Sequence, residues 1–126
     1  MLSDNISRDE SGALCFAGQR VDALADRWGT PLYLMDENRI RQNCRMYLSA
    51  FRKSFGPDAL PLYAGKAASF RQMYRIMAEE GMGVDAVSPG EIATALSAGF
   101  PADKIYYHGD GKTDADIRNA LEAGVG

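Results

Sequence analysis

The side chains best suited to chemistry fall in three short segments, each closing an apolar run. Tyr63-Ala64-Gly65-Lys66-Ala67-Ala68-Ser69 sets a lysine among small and apolar residues. An amine held at a strand end in such surroundings loses hydration, which disfavours its charged form and leaves it nucleophilic enough to form a Schiff base. The plainer alternative is a lysine whose ammonium reaches solvent from the strand end. Val84-Asp85-Ala86-Val87-Ser88-Pro89-Gly90-Glu91 puts a carboxylate inside an otherwise apolar strand, which is costly unless the group is paired or used. A strand-end lysine would be an available partner for Asp85, in a structural ion pair or a functional one. Ser88 and Glu91 are accounted for as a helix cap. Tyr107-His108-Gly109-Asp110-Gly111-Lys112-Thr113 holds the chain's only histidine and ends in Gly-Lys-Thr, as a phosphate-binding loop does. The first glycine of such a loop is missing, its place taken by Tyr106, which counts against a nucleotide-binding α/β domain.

The elements that must position these residues alternate. From Pro61 onward the pattern gives strand Pro61 to Ala64, helix Ser69 to Glu80, strand Gly83 to Val87, helix Ser88 to Ala98, strand Lys104 to Tyr107 and helix Thr113 to Ala123. Ser69 with Gln72, Ser88 with Glu91, and Thr113 with Asp116 are spaced as capping pairs, and Gly81, Gly99 and Gly124 supply stops. Three consecutive β/α units imply parallel strands with right-handed crossovers and helices over the sheet. The three chemical segments then share the C-terminal edge of that sheet, where sites of such folds lie. Upstream, the pattern predicts a strand over Ala13 to Ala17, a short helix over Val21 to Trp28, an apolar strand over Leu32 to Met35, and a helix capped by Asp36 that ends near Ser54. Residues 1–30 read as a lead-in segment and residues 31–126 as the α/β part.

The chain has 126 residues, 46% of them hydrophobic and 25% charged, with a formal net charge of −3. That is the composition of a globular domain or a piece of one, not of a disordered tail or fibre. No basic stripe points to nucleic acid, no apolar run is long enough to span a bilayer, and Met1 to Glu10 lacks the apolar block of a secretory signal. The default compartment is the cytoplasm. Cys15 and Cys44 stand outside any metal-ligand or disulfide spacing and are expected as free thiols.

Taken together, the segments resemble the pyridoxal-phosphate-dependent decarboxylases built on an alanine-racemase-like barrel, the diaminopimelate decarboxylase group above all. Tyr63, Ala64, Lys66 and Ala67 match the family's Tyr-Ala-x-Lys-Ala. Gly83, Asp85, Val87, Ser88, Gly90 and Glu91 match its Gly-x-Asp-Val-Val-Ser-x-Gly-Glu-Leu, and Ala98-Gly99-Phe100 follows as it does there. His108, Gly109 and Lys112 fit His-Gly-Asn-Asn-Lys, and Gly29-Thr30-Pro31-Leu32-Tyr33 resembles Gly-Thr-Pro-Leu-Tyr. Ala68 stands where many members have asparagine, and Asp110-Gly111 replaces the Asn-Asn pair.

The resemblance implies a fold, the N-terminal part of a pyridoxal-phosphate-binding (β/α)8 barrel. It implies pyridoxal 5'-phosphate carried on Lys66, with Asp85 beside that lysine and His108 near the cofactor ring, while Ser88, Glu91 and Lys112 hold the loops. The activity implied for a full-length form is decarboxylation of meso-diaminopimelate to L-lysine in a cytoplasmic homodimer acting on a small amino acid. Ornithine or arginine decarboxylases, racemases and non-catalytic carriers of the cofactor share the barrel and remain alternatives. A whole barrel takes roughly 250 residues, and the family's phosphate-binding, ring-nitrogen and substrate-binding groups come later in its chain. The chain by itself is therefore expected to be a fragment with little or no activity.

Overall fold

Three apolar runs, each followed by a helix, pair side by side in the computed structural model, which describes residues 4–126. β4 (Leu62–Ala64), β5 (Gly83–Ala86) and β6 (Ile105–Tyr107) form a parallel sheet in that order. They alternate with α3 (Arg71–Glu80), α4 (Pro89–Ser97) and α5 (Asp114–Glu122), as the sequence pattern requires. Single 3-10 turns occupy Gly65–Ala67 and Ala102–Lys104, so β6 begins at Ile105 rather than at Lys104. The chain divides into two compact units, Met1–Ile40 and Arg41–Gly126, and the sheet belongs to the second.

β5 is the middle strand, and α3 and α4 pack against it. Val84, Ala86, Ile105 and Tyr74 are all 0% exposed and form the centre of the core with Met73, Met77 and Phe100. Successive strand residues face opposite ways, so Leu62, Ala64, Gly83 and Asp85 point away from that core. Leu62 and Leu60 lie over Gly83: a Cβ there would stand 2.5 Å from Leu62 Cδ2. At the other edge, the Gly126 N–H donates to the Ile105 carbonyl (2.9 Å) and the Tyr107 N–H to the Gly126 carbonyl (3.0 Å), the rung pattern of a further parallel strand.

Two of the three capping pairs form. The Ser88 hydroxyl accepts from the Glu91 N–H at 3.2 Å, with Pro89 opening the helix. Thr113 and Asp116 satisfy each other's backbone N–H groups in a full capping box. The third does not form: α3 begins after Phe70, which offers no side-chain acceptor, and the Ser69 hydroxyl is bonded instead to the Tyr74 hydroxyl at 2.9 Å. A buried phenol needs a partner more than an exposed helix end needs a cap. α3 stops at Gly81, in the left-handed conformation.

α2 (Glu37–Phe55) buries Cys44 and Leu48, and the Cys44 Sγ meets Met77 Sδ at 3.6 Å. Its Asp36 cap forms through the Arg39 N–H at 3.2 Å. One turn further along α2, Arg41 reaches Glu79 and Glu80, and Arg45 meets Glu80 through two nitrogens at 2.7 and 2.8 Å. The Arg45 hydrogen bonds first, with those of Arg41, hold the Glu80 carboxyl below the usual carboxylate range.

In the first unit β1 (Ile6–Arg8), β2 (Leu14–Phe16) and β3 (Gln19–Arg20) form an antiparallel sheet, and α1 covers Val21–Trp28 as the sequence indicates. The strand expected over Leu32 to Met35 does not form. Those residues pair with no strand among the described residues, and Tyr33 is 94% exposed. Cys15 and Cys44 are free and buried. No helix among the described residues is long and apolar enough to cross a membrane.

These contacts set three stability outcomes for urea unfolding. Ile105→Ala is expected to lose about 2–5 kcal/mol, the range for a large-to-small change in a packed core, and Thr113→Ala about 1 kcal/mol through its cap. Because Glu80 titrates lower when folded than when unfolded, its contribution is present above the usual carboxylate range and disappears as the pH falls through the folded value. Glu80→Gln should therefore flatten the acid limb of the stability curve and leave its shape near neutrality unchanged.

Candidate functional site

The parallel register brings the three chemical segments to one edge. Ala64, Asp85 and Tyr106 stand on a common rung, so each strand ends within a residue or two of the same line. At the end of β4 the chain turns through Gly65–Ala67. The Ala68 N–H donates to the Gly65 carbonyl (3.2 Å), and the Tyr63 hydroxyl donates to the Ala68 carbonyl (3.1 Å). Lys66 sits in this turn and is exposed. The apolar enclosure expected around it is not formed by the described residues, which leave Lys66 exposed in its 3-10 turn.

Asp85 is paired, but not with that lysine. Its Oδ1 lies 3.6 Å from His108 Nδ1, with the carboxylate side chain 27% exposed and the imidazole 74% exposed. The physical reason is the ladder. The His108 N–H donates to the Ala86 carbonyl at 2.9 Å, which extends the β5–β6 pairing one residue past β6 and brings the ring beside Asp85. The Lys66 turn still touches Asp85 through the backbone, since a Cβ built on Gly65 would stand 3.4 Å from the Asp85 carbonyl oxygen.

The third segment spends its phosphate-like residues on itself. The Lys112 ammonium donates to the Gly109 carbonyl and lies 4.8 Å from the centre of the Tyr107 ring. The Thr113 hydroxyl is taken by the α5 cap. Both groups thus already have partners within the segment itself.

Glu91 does more than sequence spacing shows. It is 7% exposed, and its Oε2 accepts from the Val87 N–H (2.8 Å) and the Ser88 hydroxyl (3.0 Å). The cap motif reveals its place in the helix but not its burial. Beside it, burial pushes the Tyr74 phenol up, the Ser69 hydrogen bond partly offsets this, and nearby Glu91 adds a smaller upward push.

With this geometry in view, the comparison with known proteins is direct. Residues 38–126 match the pyridoxal-binding domain of the pyridoxal-dependent decarboxylases. The chain belongs to this family. Among relatives, it is 45% identical over 121 residues to the diaminopimelate decarboxylase of Methanothermobacter thermautotrophicus, covering 96% of this chain and 28% of that one. It is 42% identical over 122 residues to the diaminopimelate decarboxylase of Mycobacterium leprae, covering 97% and 25%. The crystal structure of diaminopimelate decarboxylase from M. jannaschii in complex with L-lysine superposes with a TM-score of 0.86 at 31% identity, covering 99% of this chain and 30% of that one. The fold is that of the N-terminal part of the pyridoxal-binding barrel in these decarboxylases. The chain spans about a quarter of the length of the curated relatives it matches.

The internal partners of Lys112 and Thr113 set one outcome: calorimetric titration with magnesium and ATP gives no binding heat, and Lys112→Ala does not change that result.

Proposed function

We propose that this chain supplies the lysine side of the cofactor site in a diaminopimelate decarboxylase, the full-length enzyme removing carbon dioxide from meso-diaminopimelate to leave L-lysine. The observation that carries the reading is the convergence of an exposed lysine, a half-buried carboxylate and an exposed imidazole on one edge of a parallel sheet. An amine that can condense with a carbonyl, a carboxylate to balance charge, and a flat ring to lie against another flat ring suit pyridoxal phosphate. In this reading residues 1–30 are the lead-in segment and residues 31–126 the partial barrel.

Lys66 would hold the cofactor through its amine. Its exposure leaves the nitrogen accessible to an incoming carbonyl. Asp85 keeps negative charge at the strand end and, through its contact with Nδ1, restrains the His108 ring. His108, exposed on its other side, would meet the cofactor ring. Bound pyridoxal phosphate supplies an electron sink for the pair left when a carboxylate departs as carbon dioxide. The relatives named diaminopimelate decarboxylase and the L-lysine held by one of them support a small amino acid as substrate. Family resemblance and the small net charge support a cytoplasmic homodimer with neither nucleic acid nor membrane as partner.

Incubation with pyridoxal phosphate, borohydride reduction and peptide mass mapping test the assignment. Saturable labelling concentrated on Lys66, and lost in Lys66→Ala, is the expected result. Labelling of Lys53, Lys104 and Lys112 as readily as Lys66 would overturn it.

A further inference from the structure

Directly under the Lys66 turn lies a buried acid for which the proposed chemistry has no use. Glu91 Oε2 has two donors, but Oε1 is fully buried and has no hydrogen-bond partner. A carboxylate oxygen left this way is costly, so its surroundings merit a reason. A Cβ built on Gly65 would lie 2.9 Å from Glu91 Oε1 and 2.8 Å from the Tyr74 hydroxyl. The acid from α4 and the phenol from α3 thus close on a single backbone position, the residue immediately before Lys66. Gly65 is absent from the positive-φ residues, so glycine is required there by space and not by conformation. Tyr74 is itself 0% exposed and is fixed by Ser69, three residues after Lys66.

We propose that Glu91 is a positioning residue for Lys66: with Tyr74 it forms the floor against which Gly65 rests, and so sets where the Lys66 amine stands. The proposal deepens the reading of Lys66 as the cofactor lysine, on which its functional meaning rests. Glu91 acts through shape and hydrogen bonds. Its length fills the space under Gly65, while Oε2 anchors it to Val87 and Ser88 at the start of α4. One side chain thereby ties the end of β4 to the end of β5. Glutamine has the same length and keeps an acceptor for the Val87 N–H and the Ser88 hydroxyl. Alanine removes both floor and anchor.

The test compares the chain with its Glu91→Gln, Glu91→Ala and Gly65→Ala variants through two readouts. The first, needing no cofactor, is hydrogen exchange of the Ala68 amide, which is bonded to Gly65 across the turn. The second is the borohydride-trapped pyridoxal phosphate adduct on Lys66 relative to that on Lys53. Glu91→Ala should speed Ala68 exchange and lower the Lys66 share by about tenfold, the scale of one lost buried polar contact, with the α5 amides unchanged. Glu91→Gln should restore both to within about twofold, the spread of a conserved hydrogen-bond geometry. Gly65→Ala should reproduce the Glu91→Ala result with the acid still present, and it decides the matter if Glu91→Ala unfolds. Ala68 exchange and Lys66 share that stay at the starting values in Glu91→Ala or, should that variant unfold, in Gly65→Ala, or a Glu91→Gln variant no better than Glu91→Ala, would overturn the proposal. Absence of any Lys66 adduct in the unaltered chain would sink the cofactor reading alone, since Ala68 exchange still tests the floor.

Discussion

The site depends on β5 being hydrogen-bonded on both sides. A middle strand of a parallel sheet has no freedom to slip, because a shift of one residue would turn Val84 and Ala86 out of the core and Asp85 into it. That penalty fixes Asp85 opposite Ala64 and Tyr106, and with it the level at which β4 gives way to the Lys66 turn and β6 to His108. The chemistry at the sheet edge is thus inherited from packing on the opposite face.

That opposite face is where this half of the fold is complete. α3 and α4 lie on β5, and the residues beneath them are dry. Parallel sheets normally bury both faces, yet the other face here carries Leu62 at 40% and Tyr106 at 44% exposure beside Asp85. In a barrel this face turns inward, and the functional groups of such folds lie at its open end. On this face the Asp85 carboxylate has His108 as its neighbour, 3.6 Å away.

How far this was legible in the sequence varies with the kind of signal. The three β/α units, the Ser88 and Thr113 caps and the shared edge of Lys66, Asp85 and His108 follow from local residue chemistry, and local chemistry decides them. Ser69 misleads because the same serine can cap a helix or satisfy a buried phenol, and only packing reveals that Tyr74 needs it. That Asp85 meets His108 is hidden for a similar reason: the β6 ladder runs one residue further than the strand pattern and brings the imidazole beside the carboxylate. In the first unit, β2 and β3 join through Ala17-Gly18, both with positive φ, the geometry of a tight hairpin turn. Asparagine at position 17 would have announced it; alanine conceals it. The Asp9 side chain, which accepts from the Ser11 and Ala13 N–H groups, closes the β1–β2 loop in a pattern of the aspartate-turn type.

The exposure of Lys66 changes what has to be explained about it. Had the lysine been enclosed by apolar side chains, burial alone could have prepared its amine. The described residues do not enclose it, so what this part of the chain contributes is placement. Placement of a flexible side chain is only as good as the backbone beneath it, and four rotatable bonds magnify any looseness in the turn. The chain invests in that backbone: a glycine with no room for a methyl group, a phenol at zero exposure and an acid with one oxygen unpartnered all press on the residue before the lysine. Such an arrangement is unfavourable for stability alone, since a buried polar atom without a partner could be replaced by an apolar one at a gain. Its presence under the turn that carries Lys66 is what separates a candidate site from a sheet edge.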